Sequence, residues 1–193
     1  MFTTGWHEYD AAQQRGAEPI EGVDLELDLS DQTAPTRLFD AAENAVGSLT
    51  ALVVIHTVDL GGGLMQVSAE SIDRHLSANV RGSLLLMKEF AGRFRGDAGS
   101  GRIVLFTSGP PQLGAIGYAA SKGALEWSTY SAATELRPKG ITVNAINPGP
   151  NQTGWMSPEI EHEAAWRTPL GRPGVLRTQQ PSSRSSCRPM LHG

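Results

Sequence analysis

The chain has little cysteine: Cys187 alone among 193 residues. That excludes an internal disulfide and fits a reducing compartment. It has no excess of basic side chains. Sixteen Lys and Arg against 20 Asp and Glu leave a net charge of −4, which argues against a general nucleic-acid binder. No apolar run approaches the ~20 residues of a membrane span, and the N-terminus lacks the basic-then-apolar layout of a signal peptide. No metal site is expected. What is present is a 39% hydrophobic composition, enough for the core of one globular domain. The expectation is a soluble cytoplasmic protein with neither nucleic acid nor membrane as partner.

The pattern along the chain alternates strands and helices. Residues 1–22 are ambiguous, although Met1-Phe2-Thr3-Thr4 suits the tail of a short strand. Val23-Asp24-Leu25-Glu26-Leu27-Asp28 alternates like a strand, and Asp31 or Thr33 can then cap a helix. That helix would place Leu38, Phe39, Ala42 and Val46 on one face and stop at Gly47. Ala51 to Ile55 is a continuous apolar run, the pattern of a parallel strand covered on both faces. Beyond Gly61-Gly62-Gly63, residues 68–94 read as a long helix with Ile72, Leu76, Val80, Leu84 and Met87 among its apolar positions. Strands are expected at Arg102–Thr107 and Ile141–Ile146, on either side of a helix from Tyr118 to about Leu136 that stops before Pro138. The order implies an α/β fold, a doubly wound parallel sheet with right-handed crossovers. Ligands of such sheets bind beyond the carboxyl ends of the strands, where Asp28, Ser108, Pro148 and Gly149 all fall.

The chemistry centres on Tyr118-Ala-Ala-Ser-Lys122. On a helix, Tyr118 and Lys122 stand at i and i+4, so phenol and ammonium share one face. A tyrosine with a pKa near ~10 is a poor proton donor or acceptor at neutral pH, and a neighbouring ammonium brings it toward the working range. A serine hydroxyl, here Ser108, can hold the carbonyl oxygen on which charge develops. On any surface helix the same Tyr–Lys spacing is common, so its surroundings decide its meaning. A serine hydrolase built on Ser108 is a poor alternative, because Thr107-Ser108-Gly109-Pro110 is not a Gly-x-Ser-x-Gly elbow.

These residues resemble the short-chain dehydrogenase/reductase family, NAD(P)-dependent oxidoreductases on a Rossmann-like fold, over roughly Val23 to Gly174. Tyr118 to Lys122 is similar to the family's Tyr-x-x-x-Lys pair, and Ser108 to its catalytic serine. Asn79, in Ser77-Ala-Asn79-Val-Arg-Gly, is similar to the asparagine of its fourth helix. Asn147-Pro148-Gly149-Pro150 with Thr153 resembles the segment over the nicotinamide, and Asp28 the acidic residue that contacts adenine. The resemblance implies that Tyr118 exchanges a proton with the substrate oxygen and that Lys122 holds the nicotinamide ribose. It implies that Ser108 orients the carbonyl and Asn79 helps hold a water relaying protons to Lys122. NAD or NADP is the implied cofactor, a carbonyl or alcohol the substrate, 3-oxoacyl reduction one candidate reaction, and a homo-oligomer the assembly. For Asp28, a turn or capping role stands level with the adenine contact.

Three features depart from that pattern. The first strand and its Gly-rich phosphate loop are missing, which removes a central member of the sheet. Where the family shows a glycine- and asparagine-bearing turn, this chain has Val54-Ile55-His56-Thr57-Val58, which makes His56 a lining or structural residue rather than a base. Ser108 to Tyr118 is also a shorter spacing than usual. The expected organisation is an incomplete Rossmann-like domain over residues 1–174 and a Pro/Ser/Arg-rich, disordered tail over 175–193. The chain resembles a copy truncated at both ends. Two functions are therefore open: an oxidoreductase, or a catalytically inactive relative acting as an oligomerisation or interaction module.

Overall fold

The computed structural model describes residues 1–6, 24–109, 113–152, 156–169 and 171–175. Where the sequence suggests one stretch over 1–174, the chain divides into a compact unit over 1–149 and a second from Pro150 onward. Of the expected disordered tail over 175–193, Val175 instead belongs to a short strand, paired there by its backbone hydrogen bonds, and residues 176–193 lie outside the described residues.

In the first unit, β1 (Thr4–Gly5) and β2 (Leu25–Glu26) pair in parallel, Thr4 opposite Leu25. The pairing is short, but Asp24 and Leu27 extend it by donating to the Thr3 and Gly5 carbonyls. A three-stranded parallel sheet follows in the order β3 (Ala51–Val54), β4 (Gly101–Phe106), β5 (Ile141–Ile146). Among the described residues the two ladders are not paired with each other, which leaves β3 as an edge. The two long connections between the three strands carry the helices, as parallel pairing requires.

Helix α1 (Ala34–Val46) opens with Pro35, whose missing N–H costs nothing in a first turn, and ends at Gly47 with φ 76°. Thr33 occupies the cap position without using its side chain, and the Asp31 carboxylate instead accepts from the Thr33 N–H and hydroxyl. The buried face holds Phe39 and Ala42; Val46 is exposed, since the helix has by then run past its partner. Next come α2 (Ala69–His75), a π-helical stretch over Leu76–Gly82, and α3 (Ser83–Arg93), in direct succession. Ser68 caps the start by accepting from the Ser71 N–H.

Of the apolar positions expected on this run of helix, Met87 is buried but others are not. Ile72, Leu76 and Leu84 are exposed, whereas His75, Ala78, Asn79, Gly82 and Ser83 are buried, followed by Leu86, Met87 and Phe90. At Gly82 the reason is a close approach. A Cβ there would lie 2.7 Å from the Leu29 carbonyl oxygen, so only glycine fits where this helix meets the turn after β2.

Helix α4 (Ile116–Leu136) runs into a short 3₁₀ turn (Arg137–Lys139) and Gly140, then into β5, along which it packs. The core forms where Phe39, Phe90, Leu86, Ile103, Leu105 and Ile141 meet. Phe90 lies between Phe39 and Phe94, with ring centroids 6.4 and 5.7 Å away. Arg93 ties α3 to α1 through Asp40 (2.7 Å) and Glu43 (3.0 Å), with Glu89 at 3.0 Å on its own helix. The expectation that β3 is covered on both faces is not met: Val53 is 54% and Ile55 62% exposed. Among the described residues, nothing removes that side of the strand, opposite the buried Val54, from water. The second unit contains β6 (Asn151–Gln152), paired in parallel with β7 (Gly174–Val175), and α5 (Pro158–Arg167), capped by Ser157.

Candidate active site

Tyr118 and Lys122 lie on the first two turns of α4, and Ser108 stands two residues beyond the end of β4. The i, i+4 spacing brings the Lys122 Nζ to 5.7 Å from the centre of the Tyr118 ring. Tyr118 and Ser108 are half-buried, but Lys122 is 3% exposed. Its Nζ donates 2.9 Å to the Phe106 carbonyl, at the very end of β4, so helix α4 is anchored to the strand that carries Ser108. Burial pushes the Lys122 pKa down from 10.5 to about 8. An amine held in this way carries its charge at neutral pH and releases it within the range where enzymes work.

Asn79 lies in the π-helical stretch with no exposure. Its Nδ2 donates to the Val58 carbonyl (2.9 Å) and to the Ser121 Oγ (2.9 Å), and its Oδ1 accepts from the Val58 N–H (2.7 Å). Both amide hydrogens and the carbonyl oxygen are thus engaged within the protein. A solvent-facing asparagine is excluded. The side chain clamps the loop after β3 to α4, and Ser121 completes the clamp by donating 2.7 Å to the Tyr118 carbonyl.

The loop after β3 holds two more buried groups. His56 Nε2 lies 3.0 Å from the Ala78 carbonyl, and burial, with Lys122 as a second cause, pushes its pKa down to about 4. It is a neutral donor at physiological pH, in keeping with a lining role. Thr57 has a buried hydroxyl oxygen with no hydrogen-bond partner. An orphaned hydroxyl is costly and marks a place for a polar ligand group.

Asp28 is placed apart from this cluster, in the turn after β2. It accepts from the Ser30 N–H at 2.8 Å and pairs with Arg74 of α2 at 3.1 Å, while Arg74 also bonds the Ser30 hydroxyl and lies 5.0 Å over the Trp6 ring. Those contacts are the turn-capping ones, reinforced by a cation absent from the sequence reading. Pro148 and Gly149 follow β5, where the Gly149 N–H donates 3.0 Å to Asn147 Oδ1. Thr153 lies outside the described residues. A groove of about 580 Å³ runs along α2 past Ser68, Ser71, Arg74 and Ser77, and none of Ser108, Tyr118, Lys122 or Asn79 lines it. The described residues hold no cluster of His, Cys, Asp or Glu fit for a metal ion.

Sequence reasoning missed His75, Ser121, Thr57 and Arg74. The only signal for the first two was position: His75 stands one turn before Asn79, and Ser121 lies inside the Tyr118–Lys122 motif.

The sequence matches the family model described as Enoyl-(Acyl carrier protein) reductase over residues 7–179. It is 38% identical over 155 residues to the uncharacterized oxidoreductase YjdA of Bacillus subtilis, covering 78% of this chain and 62% of that protein. It is 32% identical over 174 residues to an NADPH-dependent aldehyde reductase-like protein, chloroplastic, of Arabidopsis thaliana, covering 81% and 62%. The chain thus spans 62% of the length of both relatives. Its fold is similar to a short-chain dehydrogenase/reductase from Serratia marcescens, at a TM-score of 0.74 and 29% identity. It is also similar to a short chain dehydrogenase from Burkholderia cenocepacia in complex with NADP, at 0.74 and 27%. Each comparison covers 89% of this chain and 73% of the other.

Proposed function

The chain belongs to the short-chain dehydrogenase/reductase family, and on that premise we propose that it is an NAD(P)-dependent oxidoreductase acting on a carbonyl or alcohol. The observation that carries this is Lys122, buried beside the Tyr118 ring and bonded to the end of β4. In the reducing direction the Tyr118 hydroxyl donates its proton to the substrate oxygen. The Lys122 ammonium stabilises the negative charge left on the phenol oxygen, and Ser108 holds the carbonyl by donating a hydrogen bond to its oxygen. Asn79 acts at one remove, fixing Val58 and Ser121 around this pair.

The chemistry of the donor set suits a nicotinamide dinucleotide at this end: a buried amine, a phenol and the orphaned Thr57 hydroxyl are ribose partners. When bound, the dinucleotide supplies or receives the hydride. Within the first unit, Lys122, Tyr118, Pro148 and Gly149 are the residues that would hold its nicotinamide end, and Asp28 its adenine end. Gly5, Trp6 and His7 carry no determinant that favours NAD over NADP.

The test is a Tyr118→Phe variant in a carbonyl-dependent assay of NADH and NADPH oxidation. The phenol's proton transfer contributes about 10²–10⁴-fold, so turnover falls by that factor, well beyond the loss of one hydrogen bond in dinucleotide binding. Equal turnover in the variant overturns the assignment. A second reading, a cytoplasmic homo-oligomer or interaction module without catalysis, is favoured by the exposed Ile72, Leu76, Leu84, Trp127 and Tyr130 on the long helices. No described helix is long and apolar enough to cross a membrane. A self-associating chain with no dinucleotide affinity would select it.

A further inference from the structure

The proton donor of the proposed reaction stands on the first turn of α4, and beside the Ser121 and Lys122 bonds one further set of contacts to that turn runs through a single side chain, His75. It has no exposed surface. Its Nδ1 lies 2.7 Å from the Ser71 carbonyl, which can only accept, while its Nε2 receives the Leu60 N–H at 3.2 Å. Those partners dictate a neutral ring with its proton on Nδ1. The ring also lies against Gly117, the residue before Tyr118. A Cβ at Gly117 would come within 2.8 Å of Nδ1 and 3.2 Å of Cε1. The Leu60 loop returns to the same helix, because the Gly62 carbonyl accepts from the Ile116 N–H at 3.1 Å. Contacts therefore close a circuit from His75 through Leu60 and Gly62 to Ile116 and Gly117, and back to the ring.

We propose that His75 is a positioning residue for Tyr118, setting through this circuit where the phenol stands relative to Ser108. The proposal rests on the oxidoreductase reading above. Three charged groups lie near it. Asp59 Oδ1, 4.0 Å from Nε2, already accepts from the Gly61 N–H, and Arg74 and Asp73 stand beside His75 on α2. None of them replaces the Leu60 bond, so the neutral ring is what keeps the loop in place.

Two variants of the full chain separate hydrogen bonding from volume. His75→Phe fills the space but can neither donate to Ser71 nor accept from Leu60; His75→Gln offers a donor and an acceptor. The expected result in the carbonyl assay is a fall in kcat of about tenfold or more for His75→Phe, with the KM for the dinucleotide unchanged, because small misplacements of a reacting group are costly. His75→Gln recovers most of that loss. An unchanged kcat in His75→Phe, or an equal loss in both variants, overturns the proposal. If Tyr118→Phe shows the reaction reading itself to be wrong, amide hydrogen exchange gives the answer without activity. Exchange at Leu60 and Ile116 should quicken about tenfold in His75→Phe and not in His75→Gln. Unchanged protection at both amides in His75→Phe refutes the circuit.

Discussion

Lys122 offers the most direct test of the physical reasoning, because its burial has a consequence for stability that needs no substrate. In the unfolded chain its ammonium titrates at 10.5; in the fold, burial lowers this to about 8. Below pH 8 both states carry the proton, and the folded state bears the full cost of a buried charge. Between pH 8 and 10.5 the unfolded state binds more protons than the folded one, so stability rises with pH across that window. The shift of 2.5 units (10.5 − 8) is worth about 3 kcal/mol in full, of which about 2 kcal/mol accrues between pH 7 and 9.5. Lys122→Met keeps the stem, removes the charge and loses the 2.9 Å bond to Phe106. Urea denaturation of both proteins, followed by tryptophan fluorescence, gives the difference at each pH, and other titrating groups cancel in it. The parent should gain on the variant by about 2 kcal/mol from pH 7 to 9.5. A difference that stays flat, or moves the other way, refutes a depressed Lys122 and with it the electrostatic part of the proposed mechanism.

Three further outcomes follow from the same geometry. Asn79→Leu strands the Val58 N–H and carbonyl in the interior and should cost about 3 kcal/mol in thermal or urea unfolding, whereas a cost below about 1 kcal/mol would mean that water replaces the amide. His56 resists protonation in the fold, so between pH 6.5 and about 4 the unfolded chain takes up a proton that the folded chain does not. Acidification through that range should therefore remove up to about 3 kcal/mol from the parent and not from His56→Leu, measured by denaturation at stepped pH. Gly117→Ala puts a methyl 2.8 Å from a buried ring nitrogen and should destabilise by about 1–3 kcal/mol, visible as a lower melting temperature.

Much of the architecture is legible in the order of residues. β4 announces itself by the apolar Ile103 to Phe106 and β5 by the alternation Ile141-Thr142-Val143-Asn144, and each lies within a residue of its expected position. The Tyr118–Lys122 spacing already places phenol and ammonium on one face, since helix geometry alone requires it. The ends of helices were equally plain at Gly47 and Pro138. Sequence pattern failed where packing was set by distance. The stretch from Ser68 to Phe94 was recognisable as a helix, but its buried polar positions were not, because the close approach of Gly82 to Leu29 and the bonds of Asn79 to Val58 and Ser121 are set by the fold. Hydrophobicity carries no information about such a contact.

The same limit applies to the site. Local chemistry named Tyr118, Lys122 and Ser108, and the family resemblance added Asn79. Tertiary structure alone decided that Lys122 is buried enough to titrate near 8, that all of Asn79's side-chain hydrogen bonds lie within the protein, and that Asp28 pairs with Arg74. It also brought His75 against the residue before Tyr118, 42 positions along the chain. Spacing within one helix is fixed by bonds close in sequence. Burial, desolvation and contact across 42 residues belong to the packed chain, and no local pattern encodes them.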